Sequence, residues 1–263
     1  MFDILNTLHL NRIRTILKVK EGPQYQEMIK MSTLKLNGKL SQISSSNHEV
    51  RADKLAFGNL FWLFLVFCLV GYLFETLIAF MEFGSFQSKA GLIYGPFSQI
   101  YGIGALLSVL LYRFVRNSTH LAQFLFYSAT GSIFEFSAGV LQENILGSYS
   151  WDYSSHILSF GTGRTDILYS IVWGLSAMLV VYKVYPLVCR IYDSLGKRTS
   201  SIATLIFCTL LSADMFVTGL AAARYSERHY GEPPSTSIEA FMDLQFPDDF
   251  MERIFPTMLF LER

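Results

Sequence analysis

The sequence predicts an all-α membrane protein with five transmembrane helices, the first four forming a parallel tandem repeat of two helical hairpins. Three observations predict it. Hydrophobic residues make up 51% of the chain and charged residues 16%, with positive mean hydropathy, the balance of a chain immersed in lipid. Five apolar stretches, residues 55–81, 97–112, 121–141, 167–185 and 201–223, approach or exceed the roughly 20 residues that cross about 30 Å of hydrocarbon. The stretches also repeat. Gly71-Tyr72-Leu73-Phe74-Glu75 reads like Gly131-Ser132-Ile133-Phe134-Glu135 sixty residues later, and Ser98-Gln99-Ile100-Tyr101-Gly102-Ile103-Gly104-Ala105 matches Ser170-Ile171-Val172-Trp173-Gly174-Leu175-Ser176-Ala177 at a spacing of seventy-two. Two helices and their connection duplicated in tandem would give this pattern.

The chain divides into a basic N-terminal region (residues 1–54), a five-helix membrane domain (55–224) and an acidic tail (225–263). The repeats cover 55–112 and 121–185, and the extra helix covers 201–223. In the N-terminal region, residues 2–20 mix apolar side chains with Arg12, Arg14, Lys18 and Lys20, which predicts a weakly amphipathic helix ended by Gly22-Pro23. Residues 32–53 are rich in Ser, Asn and Lys without periodicity, the composition of a linker. No apolar core in the first 50 residues is long enough for a cleavable signal, so the first span is expected to direct its own insertion.

Each span carries small residues at helical spacing. Gly71 in the first, Gly102 in the second, Gly131 and Gly139 in the third and Gly174 in the fourth are expected to bring backbones close, as small residues do in lipid. Gly95-Pro96 opens the second span, where proline suits a first helical turn. In the third span Ser128, Gly131, Ser132, Glu135, Gly139 and Gln142 share one stripe at 100° per residue, a polar seam on an apolar helix. The connection from 144 to 166 carries Trp151, Asp152, Tyr153 and Arg164. Trp and Tyr there suit an interfacial anchor, while the loop's length and its charged pair suit an external cap over a site below. In the tail, Thr236 and Glu239 have capping-box spacing ahead of a short amphipathic helix, and residues 255–261 are apolar but too short to span.

Fifteen of the 21 Lys and Arg fall before the first span or in alternate connections, including Arg113, Arg116, Arg190 and Lys197; the other six are Lys89, Arg164 and four in the tail. That bias predicts a cytoplasmic N-terminus, a C-terminus outside, and insertion in the plasma membrane. Zero net charge excludes a dominantly basic nucleic-acid binder. Cys68, Cys189 and Cys208 have no paired spacing and read as small core residues.

Glu75, Glu135 and Asp214 lie inside apolar stretches. A carboxylate at a span's centre costs about 2.5–3.5 kcal/mol on insertion scales, so such residues often mark a pathway, although a structural hydrogen-bonding role competes. With Gln142 they define a candidate polar cleft, and two glutamates converging across a pseudo-two-fold axis could hold a proton or a cation. Catalysis has little support: no histidine lies inside a span, no His-Glu-x-x-His occurs, and Ser176 has no intramembrane histidine to activate it. Gly196-Lys197-Arg198-Thr199 lacks the Ser or Thr and the earlier glycine of a phosphate loop. No enzyme activity, metal or cofactor is therefore expected, and any ATP drive needs a separate ATPase subunit.

The series Gly71-x-x-x-Glu75, Gly95-Pro96-Phe97, Ile100-Tyr101-Gly102-x-Gly104, Glu135, Trp151-Asp152-Tyr153-Ser154, Gly163-Arg164 and Trp173-Gly174 with Pro186 resembles, in order, the bacterial ABC-transporter type IV permeases, the CmpB-like family. The resemblance covers about residues 57–187 and departs from the family at Tyr72, where a Trp is usual, and at Ser98-Gln99, where a Cys-Pro pair is common. It implies a permease-like subunit of a transport system without naming a solute. The partners expected are the lipid bilayer, a second copy or other membrane subunits, and a separate ATPase. A membrane scaffold or regulatory protein is the alternative reading.

Overall fold

A computed structural model describes residues 55–262, apart from the side chains of residues 82 and 83, together with Glu27, Lys30, Met31 and Leu34. The chain separates into two units, Met1–Glu49 and Val50–Arg263. In the first unit the four described residues are helical. The expected helix over 2–20 lies outside the described residues, and within the expected linker only Leu34 is described, in a helix.

The second unit is mostly helical. Helix α1 (Phe57–Phe83) is a continuous apolar run without proline, closed by Gly84. Helix α2 (Gln99–Val115) follows, and α3 (His120–Leu146) starts at Thr119, whose hydroxyl accepts from Ala122 N–H at 3.3 Å. Helix α3 ends at Gly147, which adopts φ 57°, a left-handed conformation that costs glycine little. Strand β1 (Ser148–Tyr149) and a hairpin of β2 (Ser159–Phe160) with β3 (Thr165–Asp166) lead to α4 (Ile167–Leu179), capped by Asp166 Oδ1 on Leu168 N–H at 2.6 Å. Helix α4 runs through a widened π-turn, Val180–Val184, into α5 (Tyr185–Ser194). Pro186 explains the widening: it has no N–H for the carbonyl four residues back and its ring clashes there, which a π-turn relieves. Helix α6 (Lys197–His229), α7 (Ser237–Gln245), α8 (Asp248–Ile254) and β4 (Leu259–Phe260) complete the unit. Strand β4 pairs antiparallel with β1, Ser148 opposite Phe260, so the apolar end of the chain packs on the α3–α4 connection.

Among the described residues four helices are long and apolar enough to cross a membrane: Phe57–Met81, His120–Leu146, Ile167–Ser194 through the π-turn, and Lys197–His229. The expected second span is shorter, the 17 residues of α2, about 25 Å at 1.5 Å per residue. The α1–α2 connection accounts for this. Ser98 N–H donates to Cys68 O at 2.9 Å, so α2 begins beside the middle of α1, and Leu92 and Ile93 are buried on the way. Non-helical backbone at that depth needs protein partners. Helix α6 supplies them, Thr218 Oγ1 accepting from Ile93 N–H at 3.0 Å and Asp214 Oδ1 from Tyr94 N–H at 3.2 Å.

Helix α1 packs chiefly on α2, and α3 chiefly on α4. Glycines set both contacts. A β-carbon on Gly71 would lie 2.2 Å from the Tyr101 ring, and one on Gly102 would lie 2.5 Å from Cys68 Sγ and 2.6 Å from Phe64. On Gly131 it would meet Trp173 at 2.4 Å, and on Gly174 it would meet Ser128 Oγ at 2.2 Å and Phe124 at 2.9 Å. Helix α6 joins α1 through Trp62 Nε1, which donates to Thr204 Oγ1 at 2.9 Å. At the same end of the bundle Gln123, fully buried, satisfies the carbonyls of Val115 and Ser118 at 3.1 Å each and accepts from the Tyr182 hydroxyl.

Candidate functional site

The polar centre is built from one carboxylate per hairpin. Gly71, one turn before Glu75, lets α2 approach until Tyr101 donates its hydroxyl to Glu75 Oε1 at 2.9 Å. Glu135, 4% exposed, accepts from Tyr153 at 3.2 Å on Oε1 and from Thr165 at 2.8 Å on Oε2. Tyr101 and Trp173 stack on each other, ring centroids 5.8 Å apart and 23° between planes, and Phe134 meets Trp173 edge-on.

The α3–α4 connection closes over this centre. Tyr153 stacks on Tyr169 at 4.5 Å and its N–H donates to Gly163 O at 2.7 Å. Burial first, then the negative charge of Glu135, the neighbouring Tyr169 and the charge of Glu75 push the Tyr153 phenol far above its usual range. The phenol thus keeps its proton, the one it donates to Glu135. The named donors to both carboxylates are neutral; Lys89, on the α1–α2 connection, is the cation whose charge reaches Glu75.

Trp151 Nε1 donates to Arg164 O at 3.1 Å, and both side chains lie over Gly139, where a β-carbon would be 3.4–3.5 Å from them. Arg164 pairs with Glu143 on α3 and with Thr162. Asp152 accepts from Ser154 N–H at 2.8 Å and Ser154 Oγ at 2.9 Å, a local turn rather than a ligand set. The cap residues thus converge, and Tyr153 is the one that reaches into the centre.

Two candidate cleft residues bond elsewhere. Gln142 donates to Ser150 Oγ at 2.9 Å and Ser148 Oγ at 3.4 Å, tying β1 to α3. Asp214 accepts from Tyr94 N–H and from Thr218 Oγ1 at 3.1 Å, supporting the α1–α2 connection. Tyr101, Thr165 and Trp173 also belong to the centre, though the sequence singles them out neither for the cleft nor for the cap. The seventy-two-residue spacing that aligns Tyr101 with Trp173 was the available signal; Thr165 sits in a connection without periodicity and offered none. Beside the centre, a narrow crevice between α2, α3 and α4 is lined by Leu107, Leu111, Phe134 and Trp173 among others. Among the described residues no three His, Cys, Asp or Glu converge as a metal site would require.

A helical bundle with four helices able to cross a membrane, and a polar centre buried between them, defines a multi-pass membrane protein. The family described as Putative ABC-transporter type IV matches residues 62–219, and the chain belongs to that family. No curated protein and no solved structure matches it.

Proposed function

We propose that the chain is a permease-like, non-catalytic subunit of a transport system, driven by a separate ATPase, with the Glu75 and Glu135 pair as the polar station of its pathway. The observation that carries this reading is the matched pair of carboxylates, one per hairpin, held by hydroxyl donors beside a single aromatic stack. Burying two such groups is expensive unless they exchange a proton or cation, or carry a structural load.

Residue equivalence supports a parallel repeat. Tyr101 fills the space at Gly71 as Trp173 does at Gly131, and Gly102 receives Phe64 and Cys68 as Gly174 receives Phe124 and Ser128. Every pair obeys the sixty or seventy-two residue spacing. Equivalent residues that touch each other mark a two-fold axis, and Tyr101 stacked on Trp173 meets that condition. The charge bias supports an N-terminus in the cytoplasm and a C-terminus outside, with α2 as the fifth and shortest span, its connection re-entering the membrane layer.

Flux tests the pathway. Proteoliposomes of the full chain, loaded with a pH-sensitive dye, should leak or take up protons more slowly when Glu75→Gln and Glu135→Gln are introduced, singly and together, and rubidium uptake reports the small-cation alternative. Unchanged flux of both probes in the double variant removes the carboxylates from any pathway. A second reading, a membrane scaffold, is favoured by the stack itself, since Tyr101 and Trp173 fill the space between the hairpins. Purification in mild detergent separates the two: a co-purifying ATPase favours transport, a stoichiometric partner without ATPase activity favours assembly.

A further inference from the structure

Helix α7 has two unlike faces. Its inner face is fully engaged: Met242 packs with Ala221, Ile93, Phe246 and Met251, and Asp243 is held by Arg224 Nε at 3.0 Å, Arg224 Nη2 at 2.8 Å and Arg228 Nη1 at 2.6 Å. The other acid of the helix, Glu239, lies 3.8 Å from Arg224 and accepts from Ser235 N–H. The outer face carries Ile238, Phe241 and Leu244, at intervals of three residues and 65, 60 and 79% exposed. No charge lies among them, because both acids turn toward Arg224.

We propose that α7 lies flat in a headgroup layer of the bilayer that α6 crosses, with Ile238, Phe241 and Leu244 dipping into the acyl boundary. The length of α6 fixes the level. From Arg198 at its start to Arg224 is 26 residues, about 39 Å of rise at 1.5 Å per residue, against about 30 Å of hydrocarbon and about 40–45 Å with both headgroup layers. With Lys197 and Arg198 in one headgroup layer, Arg224 falls in the other, and its fork on Asp243 holds α7 there. The lipid is also continuous with surface that α6 already presents, since Leu210, Met215 and Phe216 are exposed along its length. An apolar face with Phe and Leu opposite a polar one is the arrangement of an interfacial helix, and pairing with Arg224 keeps the two acids of α7 from opposing it. The proposal does not depend on which side of the membrane the tail occupies, nor on the transport reading.

The test uses the full chain in proteoliposomes. An environment-sensitive fluorophore is attached to Phe241→Cys or Leu244→Cys, with Asp249→Cys for comparison, all in a Cys208→Ser background; Cys68 and Cys189 are buried. Lipids carrying a nitroxide near the headgroup should quench the 241 and 244 probes several-fold more than lipids carrying it at the chain end. Aqueous iodide should quench the 249 probe and spare the other two. Probes at 241 and 244 as open to iodide as the one at 249 overturn the proposal. So do probes sheltered from both nitroxide and iodide, the signature of a protein partner on this face.

Discussion

Asp243 to Asn is the sharpest test of how the tail is held. The carboxylate takes three hydrogen bonds from two guanidinium groups, those of Arg224 and Arg228. Bonds to charged groups contribute about 1.5–3 kcal/mol each, but the amide keeps one acceptor oxygen, and neither arginine is abandoned. Arg224 retains Glu227 at 2.5 Å and Arg228 retains Asp248 at 2.6 Å, so the loss stays below the about 3–5 kcal/mol of an orphaned buried charge. A cost of about 2 kcal/mol multiplies the open population of a locally unfolding segment by about 30. Limited proteolysis should therefore cut residues 230–247 about 30-fold faster where cleavage follows the open population. A thiol-reactive dye reporting on buried Cys68 and Cys189 should register almost no shift in the melting of the bundle. A change in cutting rate under about threefold, well short of the factor of 30 expected for 2 kcal/mol, would refute the argument. So would equal destabilisation of tail and bundle, because the fork would then be either idle or part of the global core.

The same fork sets a pH dependence: hydrogen bonds from Arg224 hold the Asp243 carboxyl below its usual range, despite partial burial. Its stabilisation is thus fully present above the ordinary aspartate pKa of about 3.9 and is lost as pH falls from there through the folded-state value, so proteolysis by an acid protease should rise below about pH 4 in the wild type and far less in D243N. At Gly131 a β-carbon would stand 2.4 Å from Trp173 while at Gly139 it finds ordinary contacts of 3.4–3.5 Å; Gly131→Ala should cost about 1–3 kcal/mol and Gly139→Ala much less, read as thiol-dye melting temperatures. Asp214→Ala removes the acceptor of the part-buried Tyr94 N–H bond, a loss of about 1 kcal/mol that should appear as faster hydrogen exchange at residues 91–98, with Asp214→Asn closer to wild type.

The helices and their close approaches were legible because apolar runs and glycine spacing act locally and repeat. Gly71, Gly102, Gly131 and Gly174 each take a neighbouring side chain where a β-carbon would stand, as small residues in lipid should. What the sequence hid was the path of the connections. Nothing in residues 84–98 announces that the backbone turns back beside Cys68, because the signal sits on another helix, in the acceptors Asp214 and Thr218. Read alone, Asp214 is an acid in an apolar span and invites a pathway role; read with Tyr94, it is a backbone acceptor. Gln142 misleads in the same way, since its partners Ser148 and Ser150 lie just past the helix end. The cap was half legible: Trp151 and Tyr153 announced an interface, but only the fold directs the Tyr153 hydroxyl to Glu135.

The two connections differ in where their backbone finds partners, and that difference gives α6 its place. The α3–α4 connection satisfies more of itself: β2 pairs with β3, Tyr153 N–H finds Gly163 O and Trp151 Nε1 finds Arg164 O, while β1 draws on β4 and on Gln142 of α3. The α1–α2 connection is shorter, holds no strand, and carries Leu92 and Ile93 to full burial. Its N–H groups cannot face hydrocarbon unpaired. Helix α6 closes that gap with two side-chain acceptors one turn apart, and its own depth is fixed in turn by Trp62 on Thr204 near one end and the Arg224 fork near the other. On this argument α6 stands where it does because the α1–α2 connection, although Gly91 N–H finds Phe97 O within it, leaves the Ile93 and Tyr94 N–H groups to acceptors on another helix. The Glu75 half of the polar centre consequently depends on α6, while the Glu135 half depends on the cap.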